Sequence, residues 1–303
     1  MSIVVWASVP LSLTISGTVC NTTAMIRVTA GSVLQAALTL VAILPLSLSP
    51  LCSGGMLLEA QGQSSAPSTD NQKPPETRLS ERPFKVGERL EFSIQYGPVQ
   101  AGTASLQISD ITDVNGYQCY HISSTAESNK FFSTFFKVRD KVESFMDVNG
   151  LFSRRFTKNV SEGAYRLQYR VDFDHDNLKA VYSDGTTFEI APRIQDVLSA
   201  LYYVRTLDLK VGDTVVIENH TDKKNYPLQV KVYREEEVDT PVGKFRCLLL
   251  EPLLQGGGVF QQKGRLLVWV TDDARKVPVL MKSKVVVGSI SAVLRKMNLG
   301  SKG

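Results

Sequence analysis

The stretch Ile194-Gln195-Asp196-Val197-Leu198-Ser199-Ala200-Leu201-Tyr202-Tyr203-Val204-Arg205-Thr206-Leu207 decides how the rest of the chain is read. Its apolar residues at 194, 197, 198, 201 and 204 follow the i, i+3, i+4, i+7 spacing of a helix with one apolar stripe. Pro192, tolerated in a helix's first turn, marks its start. Almost everything around it alternates with a period of two, so the helix has only a β-sheet to pack on. The expected fold is mainly β: a large curved antiparallel sheet, or a partly open β-barrel or sandwich, with this amphipathic helix (about 194–207) on the concave side. The stripe should face the sheet, with Gln195, Asp196 and Ser199 off it.

Working outward, Leu90, Phe92, Ile94 and Tyr96 share one face of a first strand, and Ala104, Leu106 and Ile108 one face of the next. Asn115-Gly116 and Asn149-Gly150 are hairpin-turn signals, and Asp184-Gly185 is a third turn. The apolar runs 245–254 and 266–270 read as strands covered on both faces. About a dozen strands fit between residue 84 and the end of the chain.

At 303 residues, 43% hydrophobic and 21% charged, the chain can bury a sizeable core. Its net charge of +4 is too mild and too evenly spread for nucleic acid. Residues 1–60 form a targeting region, in which Arg27 and Glu59 are the charged residues. Met25 is the expected start; read from it, the region has a charged start, an apolar middle and a small-residue exit near Ala60, as a secretory signal does. Two other readings stand beside this one: an uncleaved membrane anchor, and lipid attachment at Cys52. Each implies export, to the periplasm or to a membrane-anchored position facing it, with membrane association through the N-terminal segment. Residues 61–83 are polar and rich in Ser, Pro and Gln, the composition of a disordered linker, and 84–303 reads as a single β-rich domain.

The search for chemistry returns little. His121, His175 and His220 lack zinc-ligand spacing, and Asp172–Asn177 fails the calcium-loop pattern at its glycine and glutamate positions. No metal, no cofactor and no catalytic constellation is expected. Cys119 and Cys247 either form one disulfide or stand as two separate buried thiols. Phe131, Phe132, Phe135 and Phe136 either form a lip that touches an apolar ligand or close one end of the core. With Tyr202 and Trp269 they are the candidate ligand-binding residues.

Four stretches share a likeness: Pro83-Phe84-Lys85-Val86-Gly87-Glu88, Phe136-Lys137-Val138-Arg139-Asp140, Gln195 to Tyr203, and Gly264 to Ala292 with its Trp269-Val270-Thr271-Asp272-Asp273. Over Phe84 to Leu294 the chain resembles the bacterial exported family known as domain of unknown function 3108. The resemblance implies a sheet-rich envelope protein and carries over no catalytic motif. Three functions compete. The leading one is non-enzymatic binding of an apolar ligand, lipid or outer-membrane component. The second is recognition of another envelope protein through an open sheet edge. The third is a hydrolase or lyase using His121, Arg139, Asp140 and Asp196.

Overall fold

The structure, a computed structural model, describes residues 14–15, 18–19, 82–254, 265–284 and 289–300. The signal, anchor and linker readings, Cys52 among them, lie outside the described residues, save for a two-residue ladder that pairs Thr14 with Val19 and Ile15 with Thr18.

Fourteen strands form one antiparallel sheet. In chain order they are β1 (Glu88–Tyr96), β2 (Val99–Val114), β3 (Tyr117–Ser128), β4 (Arg139–Asp147), β5 (Ser153–Glu162), β6 (Tyr165–Asp174), β7 (Lys179–Tyr182), β8 (Thr187–Glu189), β9 (Thr214–Thr221), β10 (Lys224–Thr240), β11 (Gly243–Leu254), β12 (Leu266–Thr271), β13 (Pro278–Lys284) and β14 (Ser289–Leu299). A single-turn helix α1 (Lys130–Ser133) follows β3, and α2 (Val197–Arg205) separates β8 from β9.

The order across the sheet is β8-β7-β6-β5-β4-β3-β2-β1-β14-β13-β12-β11-β10-β9. Each strand therefore pairs with its sequence neighbour, except that β1 pairs with β14 and β8 does not pair with β9. The two sheet edges are consecutive strands, joined by α2 and the segment before it. Bulges in β2 (between Ile108 and Ile111), β10 (Val232 and Arg234) and β14 (Leu294 and Lys296) bend the long strands.

The expected curved sheet with a helix on its concave side is present, and period two explains it strand by strand. In β1, Leu90, Phe92 and Ile94 are buried, and they join one core with Ile108, Ile122, Val142 and Ile290. Asn115 and Gly116 both adopt positive φ, as a two-residue hairpin turn requires. The turn at 149–150 is different. Its left-handed residue is Leu151, and the Asp147 carboxylate receives the Asn149 and Gly150 N–H groups.

The helix is shorter than 194–207. Asp196 is its N-cap, accepting from the Leu198 and Ser199 N–H groups while Ser199 Oγ accepts from the Asp196 N–H. Pro192 precedes it in a turn whose Arg193 has φ 58°. Nor is the helix one-sided. Val197, Leu198 and Val204 are buried as expected, but so are Gln195, Asp196 and Ser199. The polar side meets polar partners: Ser144 and Ser153 donate to Asp196 Oδ2 at 2.6 and 2.5 Å, and Gln195 Nε2 donates to the Leu151 carbonyl. α2 packs against β3, β4 and β9.

Candidate functional site

At the end of α2, Arg205 lies at a stripe position and is fully buried, against 1% exposure for Glu88 of β1. Its Nη1 and Nη2 donate to the two Glu88 carboxylate oxygens at 2.6 and 2.8 Å, a bidentate pair. Its Nε donates to the Arg275 carbonyl and its Nη2 also to the Pro83 carbonyl. Tyr202 donates to Glu88, and Phe84 packs edge-on against Tyr202 with ring centres 5.0 Å apart. Three of the stretches that carry the family resemblance thus meet at one ion pair, in the core. Tyr202 is wholly buried there, and Trp269 is buried with its Nε1–H donated to Glu236.

A second polar cluster lies where the sheet edges approach each other. The segment before α2 links β5 to β9 by backbone: Ser153 N–H donates to the Ile194 carbonyl, while Gln195 N–H donates to Glu218 O and His220 N–H to Gln195 O. Beyond it, the tip of the β9–β10 hairpin reaches across. Asp222 and Lys223 form that tip with φ of 47° and 66°, unusual for residues other than glycine. The far edge holds them there. Asp222 receives Lys158 Nζ at 3.2 Å and Tyr169 Oη at 2.8 Å. Lys223 N–H donates to Tyr182 Oη, which also lies 2.8 Å from His220 Nε2. Lys223 Nζ pairs with Asp184, and Asn225 Nδ2 donates to the Glu189 carbonyl of β8. Burial holds His220 below the usual histidine range, so it is neutral at neutral pH.

Lys158 and Glu162 occupy inward positions of β5, and Asp140 of β4 lies beside Glu162. Burial, then the neighbouring Asp140 charge, pushes the Glu162 carboxyl up to about 8. Asp140 is raised as well, by burial that outweighs the N–H bond from Ser161. Glu162 therefore retains its proton at neutral pH beside a buried lysine, and Asp140 is held above the usual carboxylate range.

The phenylalanines divide. Phe132 and Phe136 pack on the core; Phe131 and Phe135 are 67% and 62% exposed, ring centres 5.5 Å apart. They project from a braced element. Asn129 caps α1 through the Phe132 N–H and donates to the Gln100 carbonyl, and Ser133 Oγ bonds Ser128. Gly163 is packed so closely on Phe136 that a Cβ would come within 2.6 Å of the ring.

The four groups considered for catalysis are not brought together. His121 stacks on Phe145 and bonds Glu143 and Ser109. Arg139 is exposed at the start of β4. Asp196 is consumed as a cap, and its contact Ser144 is four residues along β4 from Asp140, roughly 13 Å. Cys119 and Cys247 are free and buried, on β3 and β11, so the structure corrects the disulfide reading in favour of separate thiols. Five strands (β2, β1, β14, β13 and β12) separate them across the sheet. Burial pushes both thiols up to about 12, which removes thiolate chemistry at neutral pH. No group of acids, histidines and cysteines arranged to hold a metal occurs among the described residues.

Sequence reading passed over Arg205, Glu88, Lys158, Glu162 and Asp222. For three of them a signal was present: Arg205 falls on the apolar stripe, and Lys158 and Glu162 continue the inward frame of Phe156 and Val160.

Among solved structures, the chain is similar to a β-barrel-like protein of domain of unknown function 1849 from Brucella abortus (9% identity, 73% of this chain and 100% of that one, TM-score 0.49). It is also similar to a protein from Bacteroides fragilis described as exported, with a YmcC-like fold (12% identity, 72% and 98%, TM-score 0.35). Likenesses this distant carry no conclusion about function. No match was found among curated proteins. Residues 91–295 match the family model described as protein of unknown function DUF3108, and the chain belongs to that family.

Proposed function

We propose that the chain is an exported, non-enzymatic protein of the bacterial cell envelope that contacts lipid through the aromatic pair Phe131 and Phe135 at the rim of its sheet. The exposed pair is the observation that carries this reading. Burying a phenylalanine is worth about 2 kcal/mol, yet both rings are held out in water by a capped and braced turn. The signal-like composition of residues 1–60 supports export. An interior ligand has less support, because most of α2 is buried and so are Tyr202 and Trp269. Edge recognition also has less support, because the facing edges β8 and β9 are engaged by Asn225, Gln195 and the hairpin tip.

The test uses the full chain carrying Phe131→Trp, with the unsubstituted chain as background for Trp6 and Trp269. Vesicles whose acyl chains are brominated should quench the added emission and shift it to the blue. Added emission that stays at its aqueous wavelength, unquenched, on every vesicle tried would overturn the proposal.

A further inference from the structure

The aromatic pair sits within the run Lys130-Phe131-Phe132-Ser133-Thr134-Phe135-Phe136-Lys137-Val138-Arg139, which holds three basic residues and no acid. Lys130, Lys137 and Arg139 are exposed, and none is in an ion pair among the described residues. Arg166 joins them from the β5–β6 turn: its Nη1 donates to the Gly163 carbonyl, and Gly163 N–H donates to the Lys137 carbonyl. Nearby acids do little to offset this charge. Asp140 and Glu162 are buried, and Glu127, opposite Arg139 in register, is exposed and counters one positive charge. Val99, exposed on the β1–β2 turn next to the Asn129–Gln100 bond, extends the apolar tip.

Rigid aromatic rings flanked by free cations match the layered chemistry of a bilayer surface. Rings enter at the acyl–headgroup boundary, and lysine and arginine stems lie along it with their charges among the headgroups. We infer that α1 and its flanks are a docking surface for a lipid bilayer bearing anionic headgroups, with Phe131 and Phe135 inserting and Lys130, Lys137, Arg139 and Arg166 meeting the negative charge. The inference rests on the lipid-contact reading above and adds the charge class of the lipid.

The closing experiment compares two vesicle types, phosphatidylcholine alone and phosphatidylcholine mixed with phosphatidylglycerol, using the Phe131→Trp emission as the readout at this site. Blue shift and quenching should be strong on the mixed vesicles, weak on the neutral ones, and reduced by added salt. Adding Lys130→Gln, Lys137→Gln and Arg139→Gln should weaken binding to the mixed vesicles about fivefold per charge removed, on the order of a hundredfold in all, with little change on neutral vesicles. Equal, salt-independent insertion into both vesicle types would overturn the anionic-surface inference and leave lipid contact standing. Emission that is unquenched on both, while detergent or monomeric lipid still shifts it, would replace the bilayer with a single bound lipid. No response to any of them would overturn both proposals.

Discussion

A carboxyl group buried beside another carboxyl group holds its proton into the alkaline range, and Glu162 next to Asp140 is in that position. Its folded value is raised from 4.5 to about 8. Between those values the folded chain binds a proton that the unfolded chain has released. Stability from this group is therefore full below about pH 4.5 and falls as pH rises toward 8. Glu162→Gln, neutral throughout, should remove that decline. Urea midpoints measured near pH 5 and near pH 8 should lie closer together in the variant than in the parent chain; an unchanged gap would mean the carboxyl is already ionised in the native state. What the sequence displayed here was a pair of charges on an inward face. What it could not display was the partner of Lys158, since Asp222 lies 64 residues away.

Among the elements, α2 depends most on one distant contact. Its N-terminus is capped by its own Asp196 and Ser199, with Ser144 and Ser153 donating to the cap, whereas its C-terminal end is held by Glu88, 117 residues away. Removing one member of a buried ion pair strands the other charge. Glu88→Gln should thus cost about 3–5 kcal/mol, and Glu88→Leu with Arg205→Met should restore most of it by replacing both charges with apolar groups. Chemical denaturation of the three chains checks this; a loss under about 1 kcal/mol for Glu88→Gln would show that α2 is anchored elsewhere. Strands were legible because period two survives in nearly all of them, and the Asn115-Gly116 turn because its chemistry is local. The ends of α2 were not. Pro192 is a permitted helix starter, yet the chain at that point pairs across the seam, and the cap falls on Asp196. The Asp222-Lys223 turn was also missed, because Asp222 is followed by a lysine in place of the usual glycine, and the bonds to Lys158, Tyr169 and Tyr182 hold Lys223 left-handed.

In the whole molecule the longest-range pairing is central, not peripheral. β1 and β14 join in mid-sheet, Leu90 opposite Met297, and the seam falls between consecutive strands. The sheet thus consists of two meanders, β1–β8 and β9–β14, each built from local hairpins, and their joining must wait for contacts with high sequence separation. The aromatic turn and the Gly163 turn lie in the first meander, so every residue named in the proposed docking surface comes from β1–β6 and the turns between them.

The β1–β14 ladder also sets the described ends of the domain side by side: Glu88 opposes Leu299, and Gly87 abuts Gly300. A circular permutant that links 300 to 82 through a glycine-rich connector, keeping Pro83 and Phe84, and opens the chain between Leu207 and Lys210 would read its strands in simple spatial order, β9 to β14 and then β1 to β8, with α2 last. Every strand pairing would then be between neighbours in sequence. Such a chain should reach the same native circular dichroism spectrum and refold faster than the parent; a permutant that refolds more slowly would show that the helix must be tethered at both ends before the two meanders can meet.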